Sequence, residues 1–182
     1  IAFADTLFRA DFQLDGAQDG VIWVKSVEQP QSYGVVLRDE KGYITEMVEK
    51  PEHFVSDLAI IGIYYIRQAE TLMQEIQYLL DHNIKSKGEY QLTDALQRMV
   101  EKGAKITAGE VLEWMDCGSK QHLLDTNRRI LSTKVDASTL DNAAQVLNIV
   151  VMPPCFIGAG AIVENAIIGP FVSIEPGAEV KN

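Results

Sequence analysis

The run LAIIGIYYI, residues 58–66, holds nine almost unbroken apolar positions, rich in β-branched and aromatic side chains, with one glycine, Gly62, inside it. Such a pattern fits a central strand covered on both faces rather than a half-exposed strand, which would alternate. Outward from it, VIWVKSV (21–27) is a second apolar run, and YGVVLRDEKGYITEMVEKP (33–51) reads as a hairpin. Gly42 supplies its turn and Pro51 stops its second strand. Downstream the period becomes helical. Leu72, Ile76, Leu79 and Leu80 recur at three- and four-residue spacing, as do Leu92, Leu96, Met99 and Val100, with Gly103 placed as a C-terminal cap. VLEWMD (111–116) is a further strand ending in Asp116. Ser119 is an N-cap for a helix whose inner stripe is Leu123, Leu124, Asn127, Ile130 and Leu131. IAFA, residues 1–4, reads as a buried strand that emerges at Asp5. Strands alternating with helices make residues 1–132 an α/β layer structure.

Beyond that the pattern changes. Residues 133–150, with the small and polar VDASTLDNAAQV, read as a linker. From Val151 an aliphatic residue recurs about every six positions, through Ile157, Val163, Ile168, Ile174 and Val180, with one five-residue step. A six-residue period with small residues between is the mark of a parallel β-helix, whose aliphatic side chains point inward and stack coil on coil. Residues 151–182 are therefore expected to form its first coils, and the terminal VKN offers no polar capping segment.

Composition narrows the classes. The chain has 182 residues, is 47% hydrophobic and carries a net charge of -10. That charge argues against a nucleic-acid partner, which needs a basic surface. No apolar run is long enough to span a bilayer and no secretory signal opens the chain, so a cytoplasmic protein is expected. Cys117 and Cys155 lie far apart with no metal-ligand spacing, so free thiols are expected.

Five places could carry chemistry. Asp5 and Asp116 each follow an apolar strand, where α/β sheets bind ligands, and two such carboxylates suit a magnesium ion whose other ligands are phosphates and water. A strand-end aspartate is equally a turn former or a helix cap. Glu49 and Lys50 stand before Pro51; the first could accept hydrogen bonds from sugar hydroxyls and the second hold a phosphate, or both could be a solvated edge pair. Gly34 and Gly62 mark a bulge or a close approach. Glu89, in GEYQLTD, is a ligand contact or a first-turn acid favoured by the helix dipole. His53, His82 and His122 show no related spacing and receive no role. No nucleophile motif and no glycine-rich phosphate loop is present.

In order, FADTLF, YGVV followed by EKP, IGIYY, GEYQLTD and WMDCGS, with hexapeptide-like repeats after them, resemble the sugar-1-phosphate nucleotidyltransferases. The likeness is strongest to the glucose-1-phosphate thymidylyltransferase-like branch with a left-handed β-helix tail. The resemblance implies a partial Rossmann-like nucleotidyltransferase domain, a mixed sheet with flanking helices, followed by the first coils of a left-handed parallel β-helix. It implies a Mg2+-assisted transfer between a nucleoside triphosphate and a sugar 1-phosphate. On this resemblance Asp5 and Asp116 match the metal-binding aspartates, Gly34, Glu49, Gly62 and Glu89 line the sugar site, and Lys50 contacts the sugar phosphate. Asp5, Lys50 and Asp116 would be catalytic. Cys117 stands inside the family's DxG pattern, and Ser119 replaces the usual threonine while keeping the hydroxyl.

The family's glycine-rich nucleotide loop would precede IAFAD, so this stretch is expected to be the sugar-binding half and inactive alone. A non-catalytic paralogue that keeps the sugar pocket for regulation or assembly is the alternative. An acyltransferase role for the β-helix ranks last, because the coils are few and hold no histidine. Self-association through the β-helix is also implied by the resemblance.

Overall fold

The computed structural model describes residues 1–12, 14, 18–133 and 138–182, and divides into two compact units, Ile1–Met115 and Asp116–Asn182. In the first unit β1 (Thr6–Arg9) and β2 (Gly20–Ser26) precede the hairpin of β3 (Gly34–Arg38) and β4 (Ile44–Glu49). Then come β5 (Leu58–Ile66), helices α1 (Ala69–Asp81) and α2 (Leu92–Glu101), and strands β6 (Ile106–Glu110) and β7 (Glu113–Asp116), whose last residue is the first of the second unit. A five-stranded mixed sheet runs in the order β4-β3-β5-β2-β6, antiparallel except where β6 joins β2. β1 pairs with β7 in a separate two-stranded sheet.

β5 is the middle strand, as its composition predicts. Its Leu58, Ile60 and Tyr64 face a core shared with Leu72 and Leu79 of α1 and Leu96 and Met99 of α2. Ile61 and Ile63 face the opposite side with Val21, Trp23 and Val111. Against β2 the register jumps: Ile22 pairs with Tyr64 and Val24 with Ile60, so β5 carries two extra residues around Gly62, whose φ is +81°. An even insertion keeps side-chain alternation in phase, so the strand bulges without exchanging its two faces. The left-handed conformation is the reason a glycine stands there.

The helix ends follow their sequence signals. After α2, Gly103 N–H donates to Val100 O at 2.8 Å and Ala104 N–H to Met99 O at 3.0 Å, with Gly103 at φ +95°, which is a Schellman cap. α1 closes the same way with Asn83, one of the few side-chain-bearing residues that tolerates the left-handed region. Between the two helices, the covered Glu75 carboxylate receives Arg98 Nε at 2.9 Å and Lys102 Nζ. No helix among the described residues is long and apolar enough to cross a membrane.

IAFA departs from expectation. Ala2 forms an isolated antiparallel bridge to Ile63, and Ile1 and Phe3 remain about half exposed. The segment lies along β5 beyond the end of β3, and among the described residues no strand pairs with its far side, so it is an exposed edge rather than a buried strand. β6, in KITAGE, was not anticipated, because its short alternation lacks a continuous apolar run.

The second unit begins with α3 (Lys120–Thr133) and continues with strands β8 (Ser138–Leu140), β9 (Gln145–Val151), β10 (Cys155–Ile157), β11 (Ile162–Ile168), β12 (Ser173–Ile174) and β13 (Glu179–Lys181). They form two three-stranded parallel stacks, β12-β10-β8 and β13-β11-β9. Cys155 pairs with Ser138, and Val163 with both Val146 and Val180, so each coil takes 17 residues. The five-residue step from Val163 to Ile168 leaves the coil one residue short of three full six-residue steps. Ile157, Val163, Ile168 and Ile174 are buried as expected, Val151 is half-buried, and the final Val180 is exposed.

The stretch 133–150 is not a linker: β8 and most of β9 lie in it, and only its residues 134–137 fall outside the described residues. Its strands escaped the sequence pattern because β9 presents mostly exposed positions, leaving few small-residue and aliphatic markers. Asn148 and Asn165, stacked one coil apart and both at φ +51°, are joined by an amide hydrogen bond of 2.9 Å. On α3 the stripe is shifted. Thr126 and Leu131 are buried, whereas Leu123 and Leu124 are exposed, and Asn127 Nδ2 donates to Phe171 O at 2.8 Å while its Oδ1 accepts from Ser173 at 2.6 Å.

Candidate functional site

The first site is built at the end of the β3/β4 hairpin. Register places Gly34, the first residue of β3, opposite Glu49, the last of β4. Glu49 extends past the sheet toward the start of α2, where Thr93 Oγ1 donates to its Oε2 at 3.1 Å. A Cβ at Gly34 would stand 2.9 Å from that same oxygen and 3.2 Å from Thr93 Cγ2, so the glycine is the space the carboxylate occupies. Only 13% of the Glu49 side chain is exposed. Burial and, after it, the negative Glu49 raise the Tyr64 phenol well above its usual range, keeping that hydroxyl a proton donor.

Lys50 follows at φ +43°, an uncommon conformation for a residue with a side chain, held by its N–H to Tyr33 O at 3.1 Å. The twist turns its half-exposed ammonium to 4.0 Å from Glu49 Oε1. A carboxylate with one oxygen anchored by Thr93 and a half-exposed cation therefore meet, near enough to the buried Tyr64 phenol for the Glu49 charge to act on it. This is the polar set that a hydroxyl-rich, anionic small molecule requires.

Sequence reading gathered Gly34, Glu49 and Lys50 correctly into one place. Gly62 is on β5, two residues from Tyr64, and its absent Cβ makes room for the Phe3 ring, 2.8 Å away at its nearest atom. Phe3 in turn packs on Tyr64 with ring centroids 5.6 Å apart. Glu89 shares no hydrogen bond or ion pair with Glu49 or Lys50 among the described residues. It closes a turn with Ser86 through hydrogen bonds of 3.0 and 3.2 Å, and its carboxylate meets Gln91. Tyr64 and Thr93, which stand beside Glu49, are not singled out by IGIYY and GEYQLTD, because their burial is not visible in a string of letters.

Replacing Gly34 by alanine is expected to push the Glu49 carboxylate off its seat. One charge-assisted hydrogen bond contributes roughly 1.5–3 kcal/mol, so the variant should be less stable by up to about that much. Chemical denaturation would check this; wild-type stability would mean that Glu49 keeps its bond to Thr93.

The two candidate metal ligands belong to different units. Asp5 is exposed in a turn just before β1. In the second unit Asp116 is built more tightly: Gly118 N–H donates to Oδ1 at 2.7 Å, and His122 Nδ1 lies 2.5 Å from Oδ2. Ser119 caps α3 as expected, its Oγ accepting from His122 N–H at 3.2 Å. Among the described residues no group of three or more acidic, histidine or cysteine side chains could hold a metal ion. Carboxylate oxygens are nevertheless the hard donors that magnesium takes one or two at a time, and both aspartates fit it in that sense.

Comparison with known proteins places these features in context. The nucleotidyl transferase family matches residues 4–133. The chain is 31% identical over 169 residues to a glucose-1-phosphate thymidylyltransferase of Streptomyces antibioticus, covering 84% of this chain and 46% of that protein. It is 30% identical over 179 residues to a glucose-1-phosphate thymidylyltransferase of Streptomyces griseus, covering 90% and 49%. The chain thus spans about half the length of the curated relatives it matches. The crystal structure of a nucleoside-diphosphate-sugar pyrophosphorylase from Vibrio cholerae RC9 matches with a TM-score of 0.56 at 19% identity, over 66% of this chain and 52% of that one, a likeness of fold.

Proposed function

Because the chain belongs to the nucleotidyl transferase family, we propose that its protein transfers a nucleotidyl group from a nucleoside triphosphate to a sugar 1-phosphate, with glucose 1-phosphate as the favoured acceptor. The observation that carries the sugar side is the Gly34, Glu49 and Thr93 arrangement with Lys50 beside it. In the reaction a phosphate oxygen of the sugar phosphate forms a bond to the α-phosphorus as the bond to the departing pyrophosphate breaks. No proton needs to be taken from the nucleophile, and no covalent enzyme intermediate is required.

Glu49 would accept from two neighbouring sugar hydroxyls, and Tyr64, held protonated, would donate to a sugar oxygen. Lys50 would orient the attacking phosphate as a point charge. Gly62 would line the sugar site through the Phe3 ring that it admits against Tyr64, and Glu89 would border the sugar end. Asp5 and Asp116 would each offer a carboxylate oxygen to Mg2+, which supplies charge neutralisation on the triphosphate when bound. The coils of the second unit are taken as left-handed, and as a surface for self-association of a cytoplasmic enzyme.

The test is a pyrophosphate-release assay on the protein as encoded, across nucleoside triphosphates and sugar 1-phosphates. Release that requires both substrates and Mg2+, fastest with glucose 1-phosphate, is the expected result. Binding of the sugar phosphate with no release under any pairing would favour a non-catalytic sugar-binding paralogue instead.

A further inference from the structure

The helix that follows Asp116 is arranged to hold it. Three donors from one short segment reach this residue: Gly118 N–H on Oδ1 at 2.7 Å, His122 Nδ1 on Oδ2 at 2.5 Å, and Thr126 Oγ1 on the main-chain oxygen at 3.0 Å. His122 and Thr126 are four residues apart on α3 and so lie on one face of it. Thr126 is buried, whereas the His122 side chain is about two-fifths exposed and lies against the Asp116 carboxylate. The next residue, Asn127, ties the same helix to Phe171 and Ser173 of the β-coil.

We propose that His122 is a positioning residue for the divalent cation that Asp116 binds, an inference that rests on the reading of Asp116 as a metal ligand. A carboxylate offers only acceptors, so the contact takes the His122 tautomer with hydrogen on Nδ1, and that donor restrains rotation of the carboxylate about its terminal torsion. Ordering is then completed on folding instead of being charged against metal binding. Partners of metal-ligating groups act in this way, and losing one typically lowers metal affinity about 10- to 100-fold.

The test uses two substitutions of unequal chemistry. His122→Leu keeps bulk and loses the donor; His122→Asn places an amide N–H near the position of Nδ1. Mn2+ affinity is read from the paramagnetic resonance signal of free Mn2+ in the protein as encoded, alongside thermal melting. The expected result is Mn2+ binding weakened about tenfold in His122→Leu and largely restored in His122→Asn, with melting unchanged in both. Wild-type affinity in the leucine variant, or no recovery in the asparagine variant, would overturn the proposal. Asp116→Asn separates the two levels. If it weakens Mn2+ binding while His122→Leu does not, only the role of His122 fails; if it leaves Mn2+ binding intact, the metal-ligand reading fails and His122 falls with it.

Discussion

Asp116→Asn in the protein as encoded is expected to reduce kcat for pyrophosphate release by about a thousandfold and to leave the KM for the sugar phosphate nearly unchanged. A metal-held carboxylate contributes several kcal/mol of charge stabilisation in a phosphoryl transition state, and about 4 kcal/mol corresponds to that factor. The fold should survive the change. Asparagine keeps an Oδ1 to accept the Gly118 N–H, and the imidazole of His122 can reverse its tautomer to accept from the new amide. Sugar affinity is expected to hold, because the substitution leaves Glu49 and its Thr93 Oγ1 donor unchanged. A fall in kcat of less than about tenfold, at unchanged melting temperature, would exclude Asp116 from the reaction.

A large stability effect is expected at Glu75. Its side chain is 4% exposed and receives hydrogen bonds from Arg98 and Lys102, joining α1 to α2 over the core. The cations themselves reach solvent, with 24% and 57% of their side chains exposed, so removal of the carboxylate leaves charges that water can partly solvate. Glu75→Ala should therefore cost about 2 kcal/mol, below the 3–5 kcal/mol typical of a fully buried pair broken on one side. Chemical denaturation at neutral pH measures it.

The pH dependence carries a definite sign. Burial raises the Glu75 carboxyl, but the hydrogen bonds from Lys102 and Arg98, with their charges, outweigh it and hold the group below its ordinary value of 4.5. A carboxyl depressed in the folded state contributes its full stabilisation above the unfolded value and loses it as pH falls through the folded one. The stability gap between wild type and Glu75→Gln should accordingly be constant at neutral pH and shrink as the pH drops below 4.5. A gap that persists unchanged into acid would mean that Glu75 acts through packing alone.

Several features were legible because they are local. The β5 run announced its central place, since a strand covered on both faces cannot carry polar positions. Gly103 ended α2 and Ser119 capped α3 where the letters said they would, because capping is decided within about five residues. The six-residue period from Val151 found the inward stack of Ile157, Val163, Ile168 and Ile174. The ordered motifs pointed to the family that residues 4–133 match.

The sequence by itself determined the alternation of strands and helices in an α/β domain, the aliphatic period of the coils, and the hairpin that carries Gly34 and Glu49. Only the tertiary structure decided that Thr93 anchors Glu49 from 44 positions away and that the Glu89 backbone closes a turn with Ser86. It alone seated His122 on Asp116 and drew 138–151 into the coils. The physical reason is the same in each case. A period or a cap is written in neighbouring residues, whereas a hydrogen bond between distant side chains depends on how separate elements pack, and no letter in either segment carries the position of the other.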